Sequence, residues 1–231
     1  MNSAYIASVI NSTLRSTTPI LLAALGCAMC SQVGVFNVAL EAQMLIACFT
    51  SIAVDYYTSS VLLSVLAGVL SGAVVGAVVA VLQVKYKAAD MVVGTALNLL
   101  GTAGATVIVK AINTAANPDD VSSIIQYAAP KKAFTVNLGA FEFSWFMLVA
   151  ALLGAASYVL LYKTRFGLRL MACGEHPQAA DSVGINVYKM RWAGVLISGF
   201  LGGIGGIVFI TAGVSEWRFE YGVAGFGFLS L

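Results

Sequence analysis

The residues that could carry chemistry are concentrated in one polar stretch of an otherwise apolar chain. Residues 163–191 read KTRFGLRLMACGEHPQAADSVGINVYKMR and contain the only histidine, His176, with five of the twelve lysines and arginines. General acid–base catalysis or metal binding would need further titratable or ligating side chains arranged around that imidazole. The stretch offers no convincing set, so the sequence predicts neither an enzyme nor a bound cofactor.

Two cysteines offer a second possible chemistry. Cys27 and Cys30 form a C-x-x-C pair, which is the spacing of redox and metal-binding cysteines. They lie in the apolar stretch CAMC, where no charged or aromatic neighbour would lower a thiol pKa. Packing as small, soft side chains is therefore the better interpretation of both cysteines.

Polar side chains inside apolar segments need a different explanation. An ionisable group within a membrane span costs at least about 2.5 kcal/mol near the centre, so it normally faces a cavity or a partner. Glu41 follows a predicted helix break that contains Asn37, so it either caps backbone groups there or lines a translocation path. Asn98 either bonds across helices or contacts a hydroxyl-rich solute. The residues alone leave both pairs of alternatives open.

The composition shows which environment these residues occupy. Of the 231 residues, 60% are hydrophobic and only 10% are charged, whereas a soluble globular chain carries roughly 25% charged residues. The outer surface of this protein is therefore predicted to face lipid. A net charge of +2 without a basic tract argues against a nucleic-acid partner.

The apolar residues fall into six runs, and each is close to the ~20 residues needed to cross the hydrocarbon core. The sequence thus predicts an all-α, polytopic transmembrane bundle with about six spans and a broken helix near residues 31–40. Residues 1–15 predict a separate amphipathic helix at the membrane surface, and Thr18-Pro19 reads as the start of the first span. The six runs are 17–33, 38–57, 60–84, 91–112, 142–162 and 192–213.

The cations predict the orientation of the bundle. Lysine and arginine concentrate in short cytoplasmic loops, which places 163–191 in the cytoplasm. Alternating spans then place the turn at 85–90 inside, and both the 113–141 segment and the N-terminus outside. Within the cytoplasmic stretch, Pro177 and Gly184 suit the two ends of a short helix near 176–183. Such a helix either docks into a partner or merely joins two spans.

Glycines at four-residue spacing predict close helix contacts. Small-xxx-small spacing lets two helix backbones approach in lipid, where no hydrophobic force drives association. No G-x-x-x-x-G-K-[ST] sequence is present, so the chain carries no ATPase site of that kind. The glycines concerned are Gly68, Gly72 and Gly76, Gly199 and Gly203, and Gly202 and Gly206.

The polar stretch also resembles a known motif. GLRLMACGEHPQAADSVGINV is similar to the cytoplasmic coupling loop of ABC-importer permeases of the branched-chain amino acid, ribose and nucleoside type, whose pattern is G-x-x-x-R-A-x-G-x-N-x-x-A-A-x-x-x-G-I. Arg169 lies two positions before the usual arginine, and His176 stands where asparagine is common. The matching positions are Gly174, Ala179, Ala180, Gly184 and Ile185.

Two further fragments agree, in the same order along the chain. Residues 35–46 resemble the signature V-x-N-I-G-x-E-G-x-M-L-I of nucleoside and simple-sugar permeases, with alanine at both glycine positions, 39 and 42. Residues 94–100 resemble G-x-A-L-N-L-L. The resemblance covers nearly the whole chain. The segment from 216 to 231 resembles one that is followed by further spans in the family, so the resemblance implies spans beyond this chain.

The resemblance implies an inner-membrane permease, residues 1–231 forming one domain with 163–191 as its coupling loop. Its solute would be a nucleoside or simple sugar, and its partners a cytoplasmic ATP-binding subunit, an extracytoplasmic solute-binding protein and a second, identical or homologous permease. The alternative is a secondary transporter or channel without an ATPase. The implied ATPase-coupling residues are Arg169, Gly174, Glu175, His176, Pro177, Ala179, Ala180 and Gly184, and those of the translocation path or helix break are Asn37, Glu41 and Asn98.

Overall fold

The computed structural model describes residues 3–116, 122, 124–126, 135–138, 141–213, 216–218, 227 and 230. Within these residues two helices continue as one turn of wider π-helix, π1 (Val81–Lys85) after α3 and π2 (Phe209–Gly213) after α8. The eight α-helices are α1 (Ser3–Ser31), α2 (Leu40–Thr58), α3 (Val61–Ala80), α4 (Asp90–Ala116), α5 (Trp145–Lys163), α6 (Arg165–Glu175), α7 (Pro177–Ser182) and α8 (Val187–Val208).

The predicted helical membrane bundle is confirmed. Among the residues that the structure describes, five helices are long and apolar enough to cross a membrane, namely α1, α3 with π1, α4, α5 and α8 with π2. The sixth predicted span corresponds to α2, which follows the predicted break and has 19 residues. Other helices surround α2, and its buried positions include Gln43, Ser51 and Asp55. A helix enclosed by protein can carry such polar side chains, which a lipid-facing helix could not.

One prediction for the N-terminus is wrong. Residues before Pro19 do not form a separate surface helix, because α1 runs without interruption from Ser3 to Ser31 with Pro19 inside it. The hydroxyls of Thr17 and Thr18 donate to carbonyls one turn earlier, at 2.7 and 2.6 Å. Threonine side chains and neighbouring helices compensate backbone groups that proline disturbs, so proline is tolerated inside membrane helices.

Short strands lie in two segments of the chain, between α4 and α5 and after π2. Strand β1 (Ile124–Gln126) pairs antiparallel with β4 (Glu216–Arg218), and β2 (Thr135–Leu138) pairs antiparallel with β3 (Phe141–Ser144). β1 and β2 fall within the 113–141 segment, whereas β3 begins at the last residue of that segment and occupies the start of the predicted fifth span. Residues 117–120 and 130–132 of the 113–141 segment, and most of 225–231, lie outside the described residues.

The polar stretch at 163–191 contains more helix than the sequence predicts. The short helix expected near 176–183 is confirmed as α7, with Pro177 at its first position and Gly184 beyond its end at φ +84°. The preceding helix α6 was not expected. Thr164 starts it by accepting a hydrogen bond from the backbone N–H of Gly167 at 3.1 Å. Leu170 and Cys173 then follow at helical spacing and are buried, which makes α6 amphipathic.

Helix α8 is the centre of the bundle. It contacts α1, α2 and α3, and glycines on its different sides let each of them approach closely. A side chain at Gly194 would meet Val33 in the turn after α1, and one at Gly206 would meet the backbone of Met44 in α2. The close approach explains why so many glycines are needed in one membrane helix, because even a methyl group would separate these backbones.

Of the seven glycines predicted to pack, five lie at the contact between α3 and α8, while Gly202 and Gly206 face α2. A Cβ atom placed on Gly72 would be 2.5 Å from the Cα of Gly203, and one on Gly76 would be 2.9 Å from the Cα of Gly199. A Cβ on Gly68 would approach the backbone of α2 and the side chain of Ile207 at 2.9 Å. The two backbones therefore touch without an intervening side chain.

We predict that Gly72→Ala destabilises the protein. The added methyl group has no room against Gly203, and overpacking of a tight core typically costs about 1–3 kcal/mol. The thermal unfolding midpoint in detergent is expected to fall relative to the parent chain. Gly104→Ala is the matched control, since a Cβ there meets nothing within 4 Å. Equal midpoints for the two variants would contradict this packing.

Candidate functional site

The break between α1 and α2 is the most unusual part of the bundle. Helix α1 ends at Ser31, and Gly34 adopts φ +73°, a left-handed conformation that glycine reaches without steric cost. Residues 35–37 have no regular secondary structure, and α2 begins at Leu40 after a turn at 38–39. Because the break lies among packed helices, its peptide groups need partners other than water.

Side chains from two other helical elements, π1 and α4, supply those partners. The N–H of Phe36 donates to a carboxylate oxygen of Asp90 at 2.9 Å, and the amide of Gln83 donates to the carbonyl of Phe36 at 3.3 Å. Asn98 donates to the carbonyl of Val38 at 3.1 Å and accepts from the N–H of Ala42 at 2.9 Å. Side chains of π1 and α4 therefore hold the break at both of its ends.

Asn37 links the break to the central helix. Its side-chain N–H₂ donates to the hydroxyl of Ser198 in α8 at 2.9 Å and to the side-chain oxygen of Gln43 at 3.3 Å. Its side-chain oxygen accepts from the N–H of Ala39 at 3.2 Å. Asn37, Gln43 and Ser198 are fully buried. The structure therefore places Asn37 in the support of the break and not on an open surface.

Glu41 and Asn98 meet at a cleft of about 320 Å³ beside the break. Thr95, Leu99 and Thr102 of α4 complete its lining. Glu41 lies in the first turn of α2, where the positive end of the helix dipole favours a carboxylate. Asn98 bonds across helices, which is one of the two alternatives that the sequence left open, and it also lines the cleft. Contact between Asn98 and a solute stays a prediction.

The cleft combines hydrogen-bonding groups with an apolar wall. Thr95 and Thr102 donate their hydroxyl protons to carbonyls of their own helix at 2.8 Å, so their oxygens can still accept. The carboxylate of Glu41 and the side-chain oxygen of Asn98 add further acceptors. Such a surface suits a polar molecule that offers N–H or O–H donors.

The predicted ATPase-coupling residues do not share one environment. Arg169, Glu175, His176 and Ala179 are exposed. Ala180, in contrast, is only 5% exposed, because α7 packs against α6 and α8 on that side. The outer surface of α7 is therefore formed by Ala179 and its neighbours, and a change at Ala180 would disturb the permease itself.

The three motif fragments meet at the break. Gly174 touches the turn after α1, where a Cβ on it would collide with the carbonyl oxygen of Gln32. In the second contact, a Cβ on Gly94 would collide with Val38, and Asn98 one turn later makes the two hydrogen bonds to the break. Ala42, where the related signature has glycine, still fits, with 3.4 Å between its Cβ and one placed on Gly101.

Sequence reasoning missed four residues of this arrangement: Gln43, Gln83, Asp90 and Ser198. Each is polar and lies within or at the edge of an apolar run, and that was the available signal. Their hydrogen-bond partners could not be read from spacing, since the bond from Gln83 spans 47 residues and the bond to Ser198 spans 161.

A broken helix inside a multi-pass bundle, with a polar cleft at the break, is an arrangement used by membrane transport proteins. The protein is a multi-pass permease of the inner membrane. It belongs to the family described as branched-chain amino acid transport system / permease component, whose model matches residues 9–229. Membership identifies it as a transport component of the ATP-binding-cassette class, in place of the secondary transporter or channel that the sequence left as an alternative.

Individual relatives agree with the family. The chain is 34% identical to the guanosine ABC transporter permease NupQ of Bacillus subtilis, over 96% of this chain and 73% of that protein. It is also 34% identical to the nucleoside ABC transporter permease NupC of Lactococcus lactis, with the same coverage. A putative glucose ABC transporter permease, TsgC13 of Haloferax volcanii, is 29% identical over 87% of this chain and 62% of its own length. No solved structure matches the chain.

We predict that Asn98→Ala destabilises the protein by leaving the carbonyl of Val38 and the N–H of Ala42 without partners. An unsatisfied buried polar group costs about 1–3 kcal/mol, so the unfolding midpoint is expected to fall clearly. Thr95→Val is the control on the same helix, because the hydroxyl of Thr95 bonds only within α4. If both variants unfold at the midpoint of the parent, Asn98 does not hold the break.

Proposed function

We propose that this permease imports a nucleoside or a simple sugar, and that residues 163–191 couple it to a separate ATPase. The observation that carries the solute proposal is the cleft at the break, with Glu41, Asn98, Thr95 and Thr102 presented around Leu99. The names of the relatives support the same solute classes, since they describe guanosine, nucleoside and glucose permeases.

The chemistry of the cleft fits such a solute. A ribose or hexose offers several O–H donors, and a nucleobase adds N–H donors and a flat apolar face. The cleft offers acceptors for these donors on Glu41, Asn98 and two threonine hydroxyls, and the side chain of Leu99 can contact the apolar face. Its volume of about 320 Å³ lies at the lower end of the range of about 300–1,000 Å³ for small-ligand pockets. A single carboxylate selects for donors without requiring a charged solute.

In this proposal the ATPase binds the outer surface of α7. This surface is small and weakly charged, with Gln178, Ala179, Asp181 and Ser182 exposed and Val183 exposed over 79% of its area. An exposed valine beside alanine suits insertion into an apolar groove of another protein. The full importer in this proposal also contains an extracytoplasmic solute-binding protein and a second permease subunit. The side that carries α7 is cytoplasmic.

We predict that Ala179→Arg abolishes coupling to the ATPase. The substitution places a large cation on the exposed side of α7 without entering the bundle. Co-purification of the ATP-binding subunit and solute uptake are both expected to fall at least about tenfold, as expected for a bulky charge in a central docking contact. Ala89→Arg is the matched control, because Ala89 is exposed in the turn before α4. Normal assembly and uptake with Ala179→Arg would refute docking at α7.

We predict that Thr102→Val weakens solute binding. Removing one hydroxyl from the cleft loses about one hydrogen bond, worth 0.5–1.5 kcal/mol, and should raise the KM for uptake by about two- to tenfold. Guanosine, ribose and leucine are compared as radiolabelled solutes in the complete importer. Thr106→Val, one turn further along α4, is the control. Transport of leucine in preference to the other two would contradict the proposed solute class.

A further inference from the structure

The break is surrounded by hydrogen-bonding groups that it does not use. Gln83 and Gln43 each hold the break through one side-chain atom, yet Oε1 of Gln83 and Nε2 of Gln43 are buried without a partner among the described residues. The same holds for Nε of Arg191 and Nε1 of Trp192 at the start of α8. A side chain at Gly34 would lie 3.8 Å from the guanidinium of Arg191.

These unused groups offer hydrogen-bond partners for a second arrangement of the break. A buried polar atom without a partner costs about 1–3 kcal/mol, and such atoms are rare in folded proteins. Four of them around one segment leave the present hydrogen-bond pattern only partly satisfied. A shift of residues 35–39 would be able to exchange some of the present bonds for bonds to these groups.

The break is also in direct backbone contact with the polar stretch. A Cβ on Gly34 would lie 3.3 Å from the carbonyl oxygen of Gly174 and 3.4 Å from its Cα. A Cβ on Gly174 would in turn be 3.1 Å from the backbone N of Gly34. No side chain separates the last turn of α6 from the turn after α1. Movement of α6 toward the turn after α1 would therefore push directly on Gly34.

From Gly34 the chain leads directly to the cleft. Glu41 lies seven positions after Gly34, and Asn98 bonds to Val38 within that interval and to Ala42 directly after it. The neighbouring contact of α3 with α8 has no room for adjustment, because glycine backbones touch there. The break is the element between α7 and the cleft that can move.

We propose that the contact between Gly34 and Gly174 is the joint through which the ATPase changes the shape of the solute cleft. Movement of α7 displaces Gly174, Gly34 follows, and the break shifts to its second arrangement, which moves Glu41 against α4. Gly34 is a positioning residue, since it acts on the cleft through the break. The proposal rests on the proposed function, in which a separate ATPase drives this permease.

The test uses the complete importer in proteoliposomes, with Gly34→Ala and Gly34→Asn in the permease. Both substitutions add atoms against Gly174, but asparagine tolerates a positive φ better than alanine, so the pair separates backbone strain from the contact. Gly154→Ala is the control, because its Cβ makes an ordinary contact of 3.8 Å with Leu25. Three quantities are measured: association with the ATPase, ATP hydrolysis, and solute taken up for each ATP hydrolysed.

We expect both Gly34 variants to bind the ATPase and to hydrolyse ATP like the parent, while uptake for each ATP falls about tenfold, within the usual range of coupling energies. The proposal would be overturned if both variants took up as much solute per ATP as the parent. It would also be overturned if Gly34→Asn had the parent value while Gly34→Ala did not. If neither variant assembles, Gln83→Met decides the question. It removes the bond to Phe36, and lower uptake for each ATP then supports the proposal while unchanged uptake overturns it. A parent permease that binds no ATPase would instead refute the proposed function.

Discussion

The constraint on which this structure depends is that an unwound peptide segment lies inside a membrane bundle. Without water, each free N–H and C=O there must find a partner in the protein. Asp90, Gln83 and Asn98 meet this need for Phe36, Val38 and Ala42, and Asn37 ties the segment to Ser198. Because these partners come from π1, α4 and α8, satisfying the break also fixes how those elements are arranged around it.

The bundle therefore combines two kinds of contact with different mechanical properties. α3 and α8 meet through glycine backbones, which allow little sliding because any displacement brings main-chain atoms into collision. The break is held by directional hydrogen bonds, which can be exchanged one at a time. The π1 turn contributes to these hydrogen bonds, because it places Gln83 within reach of the carbonyl of Phe36. The chain then turns at Lys87, whose φ is +52°.

The sequence was sufficient where the signal was local. Apolar run lengths predicted the helices, Pro177 and Gly184 predicted the ends of α7, and polar residues near 31–40 predicted the break. It was insufficient where neighbours distant in sequence decide the outcome. Thr18-Pro19 predicted the start of a helix, but Pro19 lies inside the continuous helix α1. There the hydroxyl of the neighbouring Thr18 bonds to a carbonyl one turn earlier. Spacing also could not show that Ala180 is buried while Ala179 is exposed, because that depends on how α7 lies on α6 and α8.

The touching backbones of α3 and α8 have a consequence for how this chain can evolve. The exposed leucines of α3, such as Leu62, Leu66 and Leu70, can be exchanged for other apolar residues one at a time, since lipid adapts to any of them. Gly72 and Gly203 have no such freedom. A larger residue at either position requires the partner helix to retreat along its length, which would also displace α2 from Gly68 and Gly206. Single substitutions are therefore tolerated on the lipid-facing surface of α3, whereas the contact between α3 and α8 can change only through several simultaneous substitutions.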